Sequence, residues 1–138
     1  MLGSRWIQVL FLVLLPALVA SGSCSSRTPE GQRVAHGREL QWIWDMYHGG
    51  KRNAGRVPKS LDDFNQYQML HPEAYQAVKS GQVVVIYGLD LAHLESPEQR
   101  ILAYEKKAPQ QGGSVLMADG SIKTMSAEQV QGALKGKG

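Results

Sequence analysis

Cysteine is almost absent from this chain: Cys24 is the only one in 138 residues. A lone cysteine excludes an intramolecular disulfide, a CxxC redox pair and a cysteine-built zinc knuckle, so core packing alone must hold the folded part together. Long hydrophobic runs are missing too. The longest, residues 9–20 (VLFLVLLPALVA), has twelve residues, well short of the roughly 20 that a spanning helix needs. Charge of one sign is equally scarce. Arg5 is the one basic residue among the first 23, and the remainder carries 14 basic and 12 acidic side chains, net +2. The pairs Lys51, Arg52 and Lys106, Lys107 stand apart as solvated loop charges, not the clustered footprint that nucleic acid requires. No G-x-S-x-G elbow and no glycine-rich phosphate loop occurs, and the Gly-Gly-Ser at 112–114 enters a strand, the wrong context for phosphate. What remains has room for one small domain with an adequate core.

Arg5 followed by the apolar run has the make-up of an export signal. Ser21, Gly22, Ser23 and Cys24 come next. They resemble the lipobox of bacterial lipoproteins, with Ser21 where leucine is commonest, and the resemblance implies that the Cys24 thiol carries diacylglycerol and begins the mature protein. Two or more acyl chains would hold the chain firmly, because each buried CH₂ adds about 0.8 kcal/mol. Ser25 stands where an aspartate would favour inner-membrane retention, so the resemblance points to the cell envelope, at the outer membrane facing the periplasm rather than the inner membrane. Ordinary cleavage after Gly22 or Ser23, releasing a soluble protein, and an uncleaved anchor stay open as alternatives. The division is a signal peptide at 1–23, a flexible polar tether at 24–33 with Pro29 and Gly31, and a single domain at 34–138.

Within 34–47, Leu40, Ile43, Trp44 and Tyr47 recur on one helical face, and Gly49 supplies a stop. Trp42 and Met46, four apart, form a second stripe, which is either covered by another element or exposed as a candidate partner surface. Ser60 caps a short helix with Asp62 and Asp63 in its first turn, and a further helix is expected at 72–79. The β-branched, doubly apolar QVVVIYG at 82–88 predicts an interior strand. ILAYEK at 101–106 predicts a second strand, after a long connection in which Ser96 and Pro97 open a turn. SVLMA, Asp119 with Gly120, and SIKTM predict a hairpin with a two-residue turn, Met117 facing Ile122 and Val115 facing Thr124. Ser126 and Gln129 form a capping box before a closing helix. The class is α+β: an N-terminal amphipathic helix on a small antiparallel sheet of three to four strands, with a C-terminal helix.

Two segments carry a resemblance. LQWIWDMYHGGKRNAGRVPKSLDDF is similar to the helix, loop and Pro-x-Ser-Leu turn of bacterial pseudopilin-like proteins, and ILAYEKKAPQQGGSVLMADGSIKTMSAEQ resembles the C-terminal region of the prepilin-processing-associated, type II secretion-like group. The likeness covers about residues 38–134 and implies a pilin-like fold. Two departures limit it. The histidine that the group carries ten residues before the turn aspartate is replaced by Pro109, and the pilin leader is not matched, since Gly3 is followed by Ser4, Arg5 and, at the fifth place, Gln8. The implied protein is a pilin-like domain on a lipid anchor without pilin assembly features.

Chemistry is sparse. His36, His48, His71 and His93 are scattered, with no pair three or four apart, so no metal site is expected from them. Asp62 and Asp63, adjacent on a helix, point in different directions. Asp119 is one carboxylate where calcium wants six or more oxygens, and it reads with Gly120 as a structural turn. No catalytic residue, metal or cofactor is expected. The expected function is a non-catalytic envelope lipoprotein, a protein-interaction or structural module with the membrane and an envelope protein as partners and no nucleic acid. The alternative is a small-ligand or substrate-binding accessory of an exported enzyme or transporter, with loop 88–100 rimming a pocket.

Overall fold

The computed structural model describes the backbone of residues 30–136 and their side chains outside 30–36 and 50–54. Helix α1 spans Glu30–Ala54, a 3₁₀ helix Leu61–Tyr67, and α2 Pro72–Lys79. Strand β1 is Val83–Val85, and a 3₁₀ turn at Pro97–Gln99 leads to β2, Ile101–Glu105. A single turn, α3 at Ala108–Gln111, precedes β3, Gly113–Met117, then β4, Ile122–Met125, and α4, Ala127–Lys135. The protein is α+β, with one four-stranded antiparallel sheet in the order β1-β2-β3-β4. Among the described residues no helix is long and apolar enough to cross a membrane.

The sheet is covered on both faces. Leu102, Ala103, Leu116, Val83 and Val85 pack with α1, the 3₁₀ helix and α2 around Leu40, Ile43, Tyr47 and Phe64. On the other face Ile101, Val115 and Met117 meet Ala108 of α3 and Val130 of α4. Alternation along β3 deals its residues to the two cores in turn, as a pleated strand must. A bulge between Ile101 and Ala103 of β2 breaks that alternation, so Leu102 and Ala103 both serve the α1 side. The capping box that opens α4 is formed: the Ser126 hydroxyl accepts from Gln129 N at 3.3 Å, and the Gln129 side chain accepts from Ser126 N at 2.9 Å.

Four expectations need correction. Helical backbone begins at Glu30, inside the segment 24–33 expected as a tether. The helix also passes through Gly49 and stops at Ala54. Gly49 serves close approach instead, because the Tyr67 hydroxyl lies where a β-carbon would stand.

Among the described residues, strand β1 is an edge strand, not an interior one, bonded only to β2. Its apolar side chains report the layers above and below it, whereas the sheet edge is a matter of backbone pairing, which side-chain polarity does not encode. Its three residues make a short edge, one of the ways sheets avoid unwanted pairing.

The hairpin closes one residue differently from the two-residue turn. Leu116 pairs with Ile122, Val115 with Lys123 and Ser114 with Thr124. Gly120 N donates to Met117 O at 3.0 Å and Met117 N to Ser121 O at 2.8 Å, with Gly120 at φ +87. This is the three-residue loop that ends in a left-handed glycine bulge. Met117 therefore does not face Ile122, and Ile122 and Thr124 sit exposed on an edge strand rather than on an inner side.

The stripe of Trp42 and Met46, for which the sequence leaves cover and exposure both open, is covered at Met46. Met46 is fully buried and Trp42 is half-buried, so they do not form an exposed pair. Helix α1 is wedged between the sheet and the 3₁₀–α2 layer. At about 100° per residue, Met46 falls beside Ile43 within the wide buried stripe that such a wedge demands.

Candidate functional site

Met69 and Leu70, the most exposed large apolar side chains among the described residues, follow the 3₁₀ helix. The 3₁₀ helix ends at Tyr67, whose carbonyl accepts from Leu70 N at 3.1 Å and His71 N at 2.8 Å. That tight reversal throws Met69 and Leu70 outward, where they stand 92% and 70% exposed. Proline at the first position of α2 makes His71 the residue that enters the helix. The His71 ring meets two others: Trp42 of α1 at 5.5 Å, nearly parallel, and Tyr67 at 6.5 Å. Trp42 and His71, both half-buried, thus form a stacked shelf backed by the buried Tyr67, and the apolar tip of Met69 and Leu70 adjoins it in sequence. Sequence reasoning missed this tip. Its signal was an apolar pair between Gln68 and His71 in a turn, QYQMLHP.

A second ring cluster sits at the hairpin. Trp44 stacks at a tilt on His48, 4.5 Å away. A β-carbon on Gly120 would fall 2.8 Å from Trp44 Cε2, so glycine is demanded there both by backbone and by space. Asp119 folds back locally: one carboxylate oxygen accepts from Ser121 N at 2.9 Å and from the Ser121 hydroxyl at 2.6 Å. These bonds, the side-chain one foremost, hold its pKa below the usual carboxylate value.

Asp63 ties down the loop before the 3₁₀ helix. Its carboxylate accepts from Lys59 N at 2.8 Å, Ser60 N at 3.3 Å and Arg56 at 2.6 Å, and the Lys59 amide leads in lowering its pKa. The expected helix-terminus role for the acidic pair falls to Asp63, while Asp62 is exposed.

The loop from 86 to 100 is pinned to α1 by one phenol. Tyr47 O–H donates to Leu89 C=O at 3.0 Å while accepting from Leu89 N–H at 2.8 Å, and burial raises its pKa. Tyr87, tilted on Phe64 at 5.7 Å, buries a hydroxyl that finds no hydrogen-bond partner among the described residues. Burial first, then the nearby Asp63 charge, pushes its pKa to about 12. Further along, the loop borders a cleft of about 250 Å³ lined by Glu95, Ser96, Gln99, Arg100, Ala133 and Gly136.

Of the residues singled out from the sequence, Cys24 lies outside the described residues. The structure buries Met46 fully and Trp42 by half, and keeps Asp119 with Gly120 in the hairpin loop. His48, His71 and His93 lie apart, His93 pairing only with Asp90 at 2.7 Å. Among the described residues no group of three or more His, Cys, Asp or Glu is placed to hold a metal ion. Comparisons with protein-family models, curated proteins and solved structures return no match to this chain.

Proposed function

We propose that the chain is a non-catalytic envelope lipoprotein: a lipid on Cys24 holds it to the membrane, and its α+β body works by surface contact. The observation that carries the contact role is the Met69 and Leu70 tip beside the shelf of Trp42 and His71, since adjoining large apolar side chains left in water mark interaction sites. The anchor draws its support from the twelve-residue apolar run and the small residues before Cys24. Helix α1 lying on one face of an antiparallel meander supports a relation to pseudopilin domains, with α3 and α4 covering the face that an uncapped meander would leave bare.

A mass spectrum of the N-terminus from membrane and soluble fractions tests this reading. The expected result is an acylated Cys24 in the membrane fraction and a shift to the soluble fraction with Cys24→Ala. Unchanged partitioning, or a chain that still starts at Met1 without acyl mass, refutes it.

A second reading, a small-ligand accessory of an exported enzyme or transporter, draws on the cleft beside residues 95–100. Arg100 reaches the Gly136 carbonyl at 3.5 Å and Glu95 lines the same cleft, so its one cation already has polar company, and this reading carries less.

A further inference from the structure

We propose that the contact surface meets lipid: the Met69 and Leu70 tip enters the headgroup region of the bilayer that holds the anchor, with the shelf of Trp42 and His71 at the water boundary. This deepens the reading above and rests on it.

Shape argues first. Met69 at 92% and Leu70 at 70% exposure form a convex projection, free on nearly every side. A specific protein interface needs about 800 Å² from each partner, with complementary packing at its core, which two protruding side chains do not supply. A fluid lipid surface closes around such a projection without any matching contour.

Chemistry agrees with shape. From Asn65 to Pro72 the chain reads NQYQMLHP, with no carboxylate, lysine or arginine, so entry strips water from no formal charge. Behind the tip the half-buried Trp42 offers an apolar ring with a polar N–H, the type of side chain enriched where membrane meets water. Because the segment is uncharged, attachment should depend little on salt or on anionic lipid, unlike that of polybasic surfaces.

Connectivity supplies the occupant. The chain preceding the described residues ends at Glu30, where α1 begins, and Trp42 lies on that same helix, about 18 Å along its axis. Cys24 stands six residues before Glu30, a reach of about 20 Å even fully drawn out. An acylated Cys24 therefore keeps the shelf within about 40 Å of the bilayer, at high effective concentration.

The test uses the acylated full-length product with Leu70→Cys. Acylation blocks the sulfur of Cys24, so the introduced thiol is the only free one. It is labelled with a polarity-sensitive dye and the protein is reconstituted in phosphatidylcholine vesicles, with and without phosphatidylglycerol. The same label at Glu128→Cys, exposed on α4 across the sheet, is the comparison. The expected result is blue-shifted emission at position 70, quenched at least twofold by headgroup-level nitroxide lipid in both vesicle types and in high salt. Position 128 stays water-like, and adding Met69→Ser weakens the quenching.

Water-like, unquenched emission at position 70 overturns the inference, as does equal quenching at both positions. Shielding seen in native envelopes but not in protein-free vesicles also overturns it, in favour of a protein partner. The anchor is read separately from the acyl mass and from flotation with vesicles. A chain that floats with its lipid but leaves the dye in water sinks this inference alone, whereas a chain without acyl mass sinks the anchor.

Discussion

Replacing Tyr47 by phenylalanine deletes one oxygen and leaves the ring, its edge contact with Phe64 at 6.3 Å and its volume in place. Two hydrogen bonds to Leu89 disappear with that oxygen, each contributing about 1 kcal/mol net. Leu89 is half-buried, so water repairs part of the loss at its N–H and C=O. The expected cost is about 1–3 kcal/mol, or roughly 5–15 °C in Tm for a domain of this size.

Tyr87→Phe is the matched opposite. It removes a buried hydroxyl that has no partner among the described residues, and so relieves a desolvation cost; the expected change is between neutral and a gain of about 1 kcal/mol. Urea unfolding of both variants, with amide exchange at Leu89 as the local readout, compares them. Tyr47→Phe should speed exchange at Leu89, while Tyr87→Phe should not. A Tyr47→Phe protein as stable as wild type, or a Tyr87→Phe protein less stable than Tyr47→Phe, would refute the reasoning.

Gly120→Ala forces a side chain onto a backbone at φ +87 and into the Trp44 ring. It should cost about 2–4 kcal/mol, read by thermal unfolding with a change in the Trp44 near-UV signal. Met46→Ala empties a fully buried site and should cost about 2–4 kcal/mol, whereas Trp42→Ala, at a half-exposed ring, should cost less; the reverse order in denaturant midpoints would contradict the packing. Asp63 and Asp119 both titrate below the usual 3.8, so their contribution is present above that value and is lost as pH falls through their lower folded values. Thermal scans below about pH 4 should show falling Tm, with a shallower slope in Asp63→Asn. Tyr87 works in the opposite direction: its folded pKa of about 12 lies above the usual 10.0, so stability should fall as pH rises from 10 through 12.

Features written in a few adjacent residues were legible beforehand. Pro72 and Ser80 bracket α2, and Ser126 with Gln129 opens α4, because caps depend on groups within one turn. The hairpin was placed rightly and paired wrongly, since Asp-Gly suits both a two-residue turn and the last two positions of a three-residue loop. Gly49 reads as a stop only until Tyr67, eighteen positions later, packs on it. Met46 was ambiguous for a related reason: helical spacing tells which residues share a side, not how many neighbours surround the helix. The tip of Met69 and Leu70 went unnoticed because a turn with two apolar residues breaks the pattern of both helix and strand.

The loop at residues 118–120 fixes which residue of β4 meets which residue of β3. A register slip of one residue between these strands would turn β4 over, bringing Lys123 to the side of Leu116 and pulling Met125 away from Val130 and Leu134. A slip of two would keep every side chain on its present face. By setting Met117 against Ser121, the bulge at Gly120 decides that Met125, and not Thr124, closes over α4.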